Sequence, residues 1–285
     1  DSSPSRGLGD VYKRQSTTFQ GGLMTPEARQ QAAQHFWQHL DSGQLITELP
    51  EAQRPQNEAE GHAIQATFAE HSSQPVAGWK IASSSKAGQE HLNVDGPLAG
   101  RYLAERLLPN LSTLSLASNM MKVIEAEFTF LLGRDLPPRD SDYDVQTVMS
   151  AVAELCPSLE VPDSRYSDFT KVGKAQLIAD NALAWWLMIG NSVPLEWKYS
   201  DLSKHEVQLY RNGHLASEGV GANVLGDPRD ALTWLVNDVT SRGETLRRGQ
   251  FVTTGTCHVP LVVEPGDEIL ADYGVFGKLR MRIAE

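Results

Sequence analysis

The sequence predicts an α+β fold in which a β-rich domain follows a small helical N-terminal segment. Two helix-forming stretches stand at the front, short apolar runs separated by turn residues fill the rest, and no internal repeat is visible. The first helix is "TPEARQQAAQHFWQHLDSG", where Thr25 can cap, Pro26 takes the first helical position, Glu27 follows and Gly43 closes. A second runs through "EAEGHAIQATFAEH", after a surface loop rich in Pro, Gln and Asn. Strands are expected at Val76 to Ala82, Val123 to Leu132, Ser158 to Val161 and Trp185 to Ile189. A hairpin over Glu206 to Glu218 turns at Asn212-Gly213, because a type I′ turn needs positive φ at both central positions. In "DPRDALTWLVNDVTSRG" Asp227 caps a helix, Pro228 begins it, Leu232, Leu235, Val236 and Val239 form its apolar stripe, and Gly243 ends it. "FVTTGT", "VPLVVEPGDEILADYG" and "FGKLRMRIAE" then close the chain as strand, turn and strand. The "GVGANVLG" before that helix lacks the Lys-Ser/Thr pair of a phosphate loop and the spacing of a dinucleotide fingerprint, so it reads as a turn.

The helical segment is placed over 24–75 and the β-rich domain over 76–285. Residues 1–23 stand apart as a non-native leader: Gly7 to Gln15 can be written GGG CTC GGA GAT GTG TAT AAG AGA CAG, a transposon-end adapter of sequencing libraries. Met24 is the expected start. The 285 residues, 40% of them apolar, can bury a sizeable core. With 36 acidic against 25 basic residues the net charge is -11, which repels nucleic acid and anionic membrane surfaces, and no basic cluster breaks that pattern. Cys156 and Cys257 stand far apart without CxxC spacing, which argues against a zinc finger or disulfide framework and fits the reducing cytoplasm. The sequence holds no apolar run long enough to span a bilayer.

"MKVIEAEFTF" places Glu125 and Glu127 one residue apart in a strand-like run. Alternate side chains share a face, so Val123, Glu125, Glu127 and Thr129 point one way and Ile124, Ala126, Phe128 and Phe130 the other. A glutamate pair on such a face is either an ordinary solvated edge or a functional pair. Thirty-three residues after Glu127, Glu160 interrupts another apolar run in "CPSLEVPDSR". Three carboxylates brought together would form an oxygen-rich site suited to a hard cation such as Mg2+ or Mn2+; without one they would repel each other. Spacing leaves other carboxylate chemistry open, a glycosidase pair included.

"GWKIASSSKAGQ", "IEAEFTFLLGRDL", "PSLEVPDSR", "LIADNALAWWLMIG", "GVGANVLGDPRDALTWLVN" and "FVTTGT" follow one another in this chain. In that order they resemble the blocks of the 2-oxopent-4-enoate hydratase and 4-oxalocrotonate decarboxylase group of the fumarylacetoacetate hydrolase superfamily, from about Val76 onward. The resemblance implies a fumarylacetoacetate-hydrolase-like β-rich domain. It implies Mg2+ or Mn2+ on Glu125, Glu127 and Glu160, an oxo-acid substrate, and a homo-oligomer. Glu160 in "LEVPDSR", and the lack of a Lys-Gly-Phe-Asp block, favour this group over the C-C hydrolases.

Lys80 matches the family's active-site lysine; as a residue alone it reads as an ordinary solvated strand lysine. It shares a face with Gly78 and Ala82, small neighbours that would leave room for a ligand, and its ammonium can hold a carboxylate or shuttle a proton. Ser83 and Ser84 are candidate donors to the oxo-acid, and Thr253, Gly255 and Thr256 to its carboxylate. Asp163 and Arg165 fit a role in orienting the ligand strand, with an exposed ion pair as the alternative. His258 carries low weight as a titrating group. Related hydratases have Pro-Asp-Tyr-Gly where this chain reads Pro97-Leu98-Ala99-Gly100; Leu98 cannot move a proton, and Asp95 is the candidate substitute. The implied reaction is hydration of a 2-hydroxy-2,4-dienoate in aromatic-compound degradation. The alternatives are a 2-oxo-3-enedioate decarboxylase and a non-catalytic metal-binding assembly partner.

If 1–23 is an added leader, a chain beginning at Met24 melts at the same temperature as the 285-residue chain and keeps its activity. Calorimetry on both checks this, and a clear loss in the shorter chain would mark the leader as real protein.

Overall fold

In the computed structural model residues 24–285 are described, so the expected leader lies outside the described residues. Helices α1 (Pro26–His39) and α2 (Glu58–Ala69) come first. Seven strands follow: β1 (Val76–Ala82), β2 (Leu98–Leu103), β3 (Leu107–Leu108), β4 (Thr113–Leu114), β5 (Val123–Leu132), β6 (Val152–Val161) and β7 (Trp186–Ile189). Between them lie the short helices α3 (Lys86–Leu92), α4 (Val145–Ala151) and α5 (Lys174–Ala179). The chain continues through β8 (Glu206–Arg211), β9 (His214–Val220), α6 (Pro228–Ser241), β10 (Phe251–Thr256), β11 (Leu261–Val262), β12 (Glu268–Asp272) and β13 (Lys278–Ile283).

The strands form two sheets, one ordered β2-β1-β10-β5-β6-β7-β3 with β11 added to the end of β5, the other β4-β13-β12-β8-β9. The β8–β9 hairpin turns at Asn212 and Gly213, both at positive φ, as the sequence predicts. On α6 the stripe Leu232, Leu235, Val236 and Val239 is fully buried in the main core, and Asp227 accepts from the Arg229 N–H to cap the helix. The strand expected at Ser158 to Val161 begins six residues earlier, at Val152, and carries Pro157 within it.

The N-terminal helices pack into the same hydrophobic cluster as the sheet, with Phe36 edge-on to Tyr166 at 5.6 Å. Gln65, buried on α2, donates through Nε2 to the carbonyls of Ala99 and Ile178, both at 2.9 Å. It ties α2 to β2 and α5 at once. Arg106 grips Asp41 with two bonds of 2.9 and 2.6 Å, and Trp185 Nε1 donates to the same carboxylate. Among the described residues no helix is long and apolar enough to cross a membrane.

Truncating Gln65 removes two buried hydrogen bonds, each worth about 0.5–1.5 kcal/mol, together with the packing of a fully buried side chain. Gln65→Ala is therefore expected to lower stability by about 2 kcal/mol or more, read as a drop in the urea midpoint; a midpoint unchanged from wild type would show that the two bonds do not anchor α2.

Candidate active site

The register of the large sheet assembles the site. On β5 and β6 Glu125 stands directly opposite Glu160, and Glu127 opposite Ser158, so the three glutamates share one face. One carboxylate oxygen from each lies within 4.8 Å of the others. The face is not a solvated edge: Glu127 and Glu160 are fully buried and Glu125 is half-buried. β10 runs between β5 and β1 and aligns Thr253 with Thr129 on one side and Lys80 on the other.

Each deep glutamate has one oxygen held and one free. Glu160 Oε1 receives the Lys80 ammonium at 2.9 Å and the Tyr102 hydroxyl at 2.6 Å. Glu127 Oε2 accepts from the Thr253 hydroxyl and, at 2.9 Å, from the Gly255 N–H. Glu127 Oε1 and Glu160 Oε2 are buried without any partner. Buried orphan oxygens are costly, and hard carboxylate oxygens of this kind suit a divalent cation. The residues therefore fit the ion that the donor set implies.

A bulge in β10 makes the Gly255 contact. Thr253 pairs with Thr129 but Thr256 pairs with Glu127, which leaves one extra residue on β10 and turns Gly255 to φ +105°. A Cβ at Gly255 would lie 1.9 Å from Ser84 Oγ, so both the conformation and the space require glycine.

Burial, then the charge of Glu160, pushes the Glu125 carboxyl up to about 7. Burial, Glu160 and Glu125 push Glu127 in the same direction. Burial acts against the Lys80 ammonium, but the charges of Glu160, Glu125 and Glu127 outweigh it and hold Lys80 above its ordinary value.

The site opens into a cleft of about 1190 Å3 whose walls include Lys80, Ser83, Ser84, Glu125, Thr256 and His258. Ser83 and Ser84 carry buried hydroxyls without partners. Thr253 and Gly255, expected at the substrate, do not line the cleft; they hold Glu127 instead. Gly78 makes room for the Phe251 ring rather than for a ligand, since a Cβ there would come within 2.5 Å of it, whereas Ala82 does line the cleft.

Asp163 and Arg165 are both buried, so they are not an exposed ion pair, and they do not pair with each other. Asp163 accepts from the N–H groups of Met120 and Met121 at 2.9 and 3.3 Å and so ties the approach to β5 to the exit of β6. Burial raises its carboxyl to about 6, against the opposing charge of Arg165. Arg165 pairs with Asp180, which also accepts from Ser164 at 2.7 Å.

Asp95 does not replace the acidic residue that Leu98 displaces. It is exposed and pairs with Lys174 at 2.9 Å, outside the cleft walls. Leu98 is buried in an apolar cluster with Ala82, Leu92 and Leu183. His258 lines the cleft with both ring nitrogens engaged: Nε2 accepts from the Ala126 N–H at 2.8 Å, and Nδ1 faces the Val259 carbonyl at 2.6 Å. Burial lowers its pKa to about 4, so it is a neutral structural imidazole.

Two contributions escaped sequence reasoning. Tyr102 reaches Glu160 from β2, and no local pattern in "LAGRYL" marks it. The stretch read as a turn, "GVGANVLG", supplies Ala222, Asn223, Leu225 and Gly226 to the cleft wall.

Two buried carboxylates, a third half-buried at the wall of an open cleft, and a lysine among them define a small-molecule site on an α+β scaffold. The model of the fumarylacetoacetate (FAA) hydrolase C-terminal domain matches residues 59–284. The chain belongs to the fumarylacetoacetate hydrolase family and is an enzyme of that family. A 2-keto-4-pentenoate hydratase of Paraburkholderia xenovorans (strain LB400) is 32% identical over 260 residues, covering 90% of this chain and 95% of that protein. A 4-oxalocrotonate decarboxylase of Pseudomonas sp. (strain CF600) is 29% identical over 198 residues, covering 70% of this chain and 74% of its own. Among solved structures, 4-oxalocrotonate decarboxylase from Pseudomonas putida G7, complexed with magnesium and adipate, superposes with a TM-score of 0.83 at 25% identity, covering 92% of this chain and 99% of that one.

The raised Glu125 carboxyl sets a pH test. Its ordinary value is 4.5 and its folded value about 7, so folding without a cation takes up a proton in that window; the stability this group contributes is present at low pH and lost as pH rises toward 7. A divalent cation competes with the same proton. The rise in melting temperature on adding Mg2+ should therefore grow from pH 6 to pH 8 and vanish in Glu127→Gln; an increment that shrinks as pH rises would contradict the assignment.

Proposed function

We propose that this protein is a divalent-metal-dependent hydratase acting on a 2-hydroxy-2,4-dienoate. Through the 2-oxo-3-enoate tautomer it adds water at C4, giving a 4-hydroxy-2-oxo acid in the breakdown of aromatic compounds. The observation that carries this reading is the carboxylate cluster behind the cleft wall, where Glu127 and Glu160 each keep one unpartnered oxygen beside Glu125 and Lys80, which line the cleft. Glu125, Glu127 and Glu160 would hold Mg2+ or Mn2+. When bound, the ion would supply Lewis acidity to an oxo acid; magnesium is also present in the decarboxylase structure from Pseudomonas putida G7.

The chain's own residues do the rest. Thr253 and Gly255 fix Glu127, and Lys80 and Tyr102 fix Glu160, so the free oxygens keep their aim. The Ser83 and Ser84 hydroxyls, without protein partners, donate to the substrate carboxylate. Lys80, held charged by its glutamate neighbours, stabilises negative charge developing on the substrate. His258 does not act as the base, because both its nitrogens are occupied. The reading includes a cytoplasmic homo-oligomer, which sedimentation would detect.

Leu98 favours a second reading. With an apolar side chain where related hydratases have an acidic one, and Asp95 turned to solvent, the site has fewer groups for moving protons, and decarboxylation of a 2-oxo-3-enedioate asks for fewer. Incubation with Mg2+ and 2-hydroxypenta-2,4-dienoate, followed by NMR, should give 4-hydroxy-2-oxopentanoate. CO2 from a 2-oxo-3-enedioate with no hydration would favour the decarboxylase, and neither product a non-catalytic partner. Lys80→Ala is expected to lower kcat by about 10²–10⁴-fold while retaining Mg2+ binding; wild-type turnover in that variant would remove the lysine from the mechanism.

A further inference from the structure

We propose, resting on the reading of the site given above, that the cleft ends in an apolar subsite and that the substrate carries an aryl or alkyl group at the end remote from its carboxylate. Size is the first observation. The cleft measures about 1190 Å3, whereas pockets for drug-sized ligands run to about 300–1,000 Å3, and a five-carbon dienoate is far smaller than such ligands. A substrate of five carbons seated at Glu125 and Lys80 leaves most of this space unfilled.

The chemistry of the walls is the second. Away from the glutamates the cleft is bounded by Leu92 of α3, Met121 before β5, Phe169 after β6 and Leu183 before β7. These four also belong to, or pack against, a cluster separate from the main core, in which Leu98, Ile178 and Leu177 lie behind them. The apolar wall is thus backed by packed side chains rather than by water, and Leu98 is part of the backing. His91 meets Phe169 edge-on with ring centroids 6.0 Å apart, which brings α3 and the loop after β6 together.

Charge is the third. Apart from Lys80, which is paired with Glu160, the only lysine among the described residues on the cleft wall is Lys86, and it is exposed on α3 together with His91. No buried cation among the described residues waits in this wall for a second carboxylate. An apolar group gains from leaving water for such a surface, while a carboxylate loses hydration with nothing buried to replace it.

The test uses 2-oxo acids that bind without reacting, titrated calorimetrically into the Mg2+-loaded full chain. 2-Oxo-5-phenylpentanoate is expected to bind about tenfold or more tightly than 2-oxopentanoate, and more tightly than 2-oxoadipate, which carries a distal carboxylate. In Phe169→Ala and Met121→Ala the ratio of phenyl to unsubstituted affinity should fall severalfold. A phenyl acid that binds no better than 2-oxopentanoate, or a preference for 2-oxoadipate, would overturn the proposal. If none of the three acids binds although Mg2+ does, the oxo-acid reading of the site fails, and the subsite with it.

Discussion

Everything around the site answers one electrostatic problem: three carboxylates, two fully buried and one half-buried, stand within 4.8 Å of one another on one sheet face. Two full charges at that separation repel by about 3.5 kcal/mol at an effective dielectric of about 20. Isolation from water adds a desolvation cost to each. The chain meets part of this with Lys80 against Glu160 and part with hydrogen bonds from Tyr102, Thr253 and Gly255. It does not meet all of it, as the raised carboxyls of Glu125 and Glu127 show. The remaining deficit is what gives such a site its affinity for a cation.

Holding that deficit in place takes a stiff frame. Arg165 and Asp180 form a buried pair behind β6, and Asn119 Nδ2 donates to the Pro162 carbonyl at 2.9 Å across the same corner. Asn181, Ala182 and Leu183 all sit at positive φ, a conformation that costs of order 1–3 kcal/mol per non-glycine residue. Asn181 offsets it by bonding both the N–H and the carbonyl of Arg101 at 2.8 Å. The strained run brings Leu183 to the cleft wall, so backbone strain is spent beside the site.

Individual residues show how far the sequence alone could reach. The alternation in "VIEAEFTF" put Glu125 and Glu127 on one face, because a strand has a period of two, and that face is the one observed. Turn chemistry located the Asn212-Gly213 hairpin, and capping residues located α1 and α6. α3 and α5 escaped because helices of seven and six residues carry too little of an apolar stripe to show a period. Tyr102 escaped because nothing within six residues of it on β2 hints at a glutamate fifty-eight positions away. Asp95 looked available in the sequence, and only the fold shows it turned to solvent against Lys174.

What the sequence by itself determined is therefore local: the strand faces, the caps, the turns and the pairing of Glu125 with Glu127 on one face, whereas Lys80 was singled out only by the family resemblance. The tertiary structure decided which oxygen of Glu127 and of Glu160 is tied and which is free, that Thr253 and Gly255 hold Glu127 and do not line the cleft, and that Leu92, Met121, Phe169 and Leu183 do line it. The physical reason is range. Backbone dihedral preferences and side-chain periodicity act over a few residues and can be read along the chain, whereas hydrogen-bond partners and dielectric environment arise only when β10, with its bulge, is laid between β1 and β5.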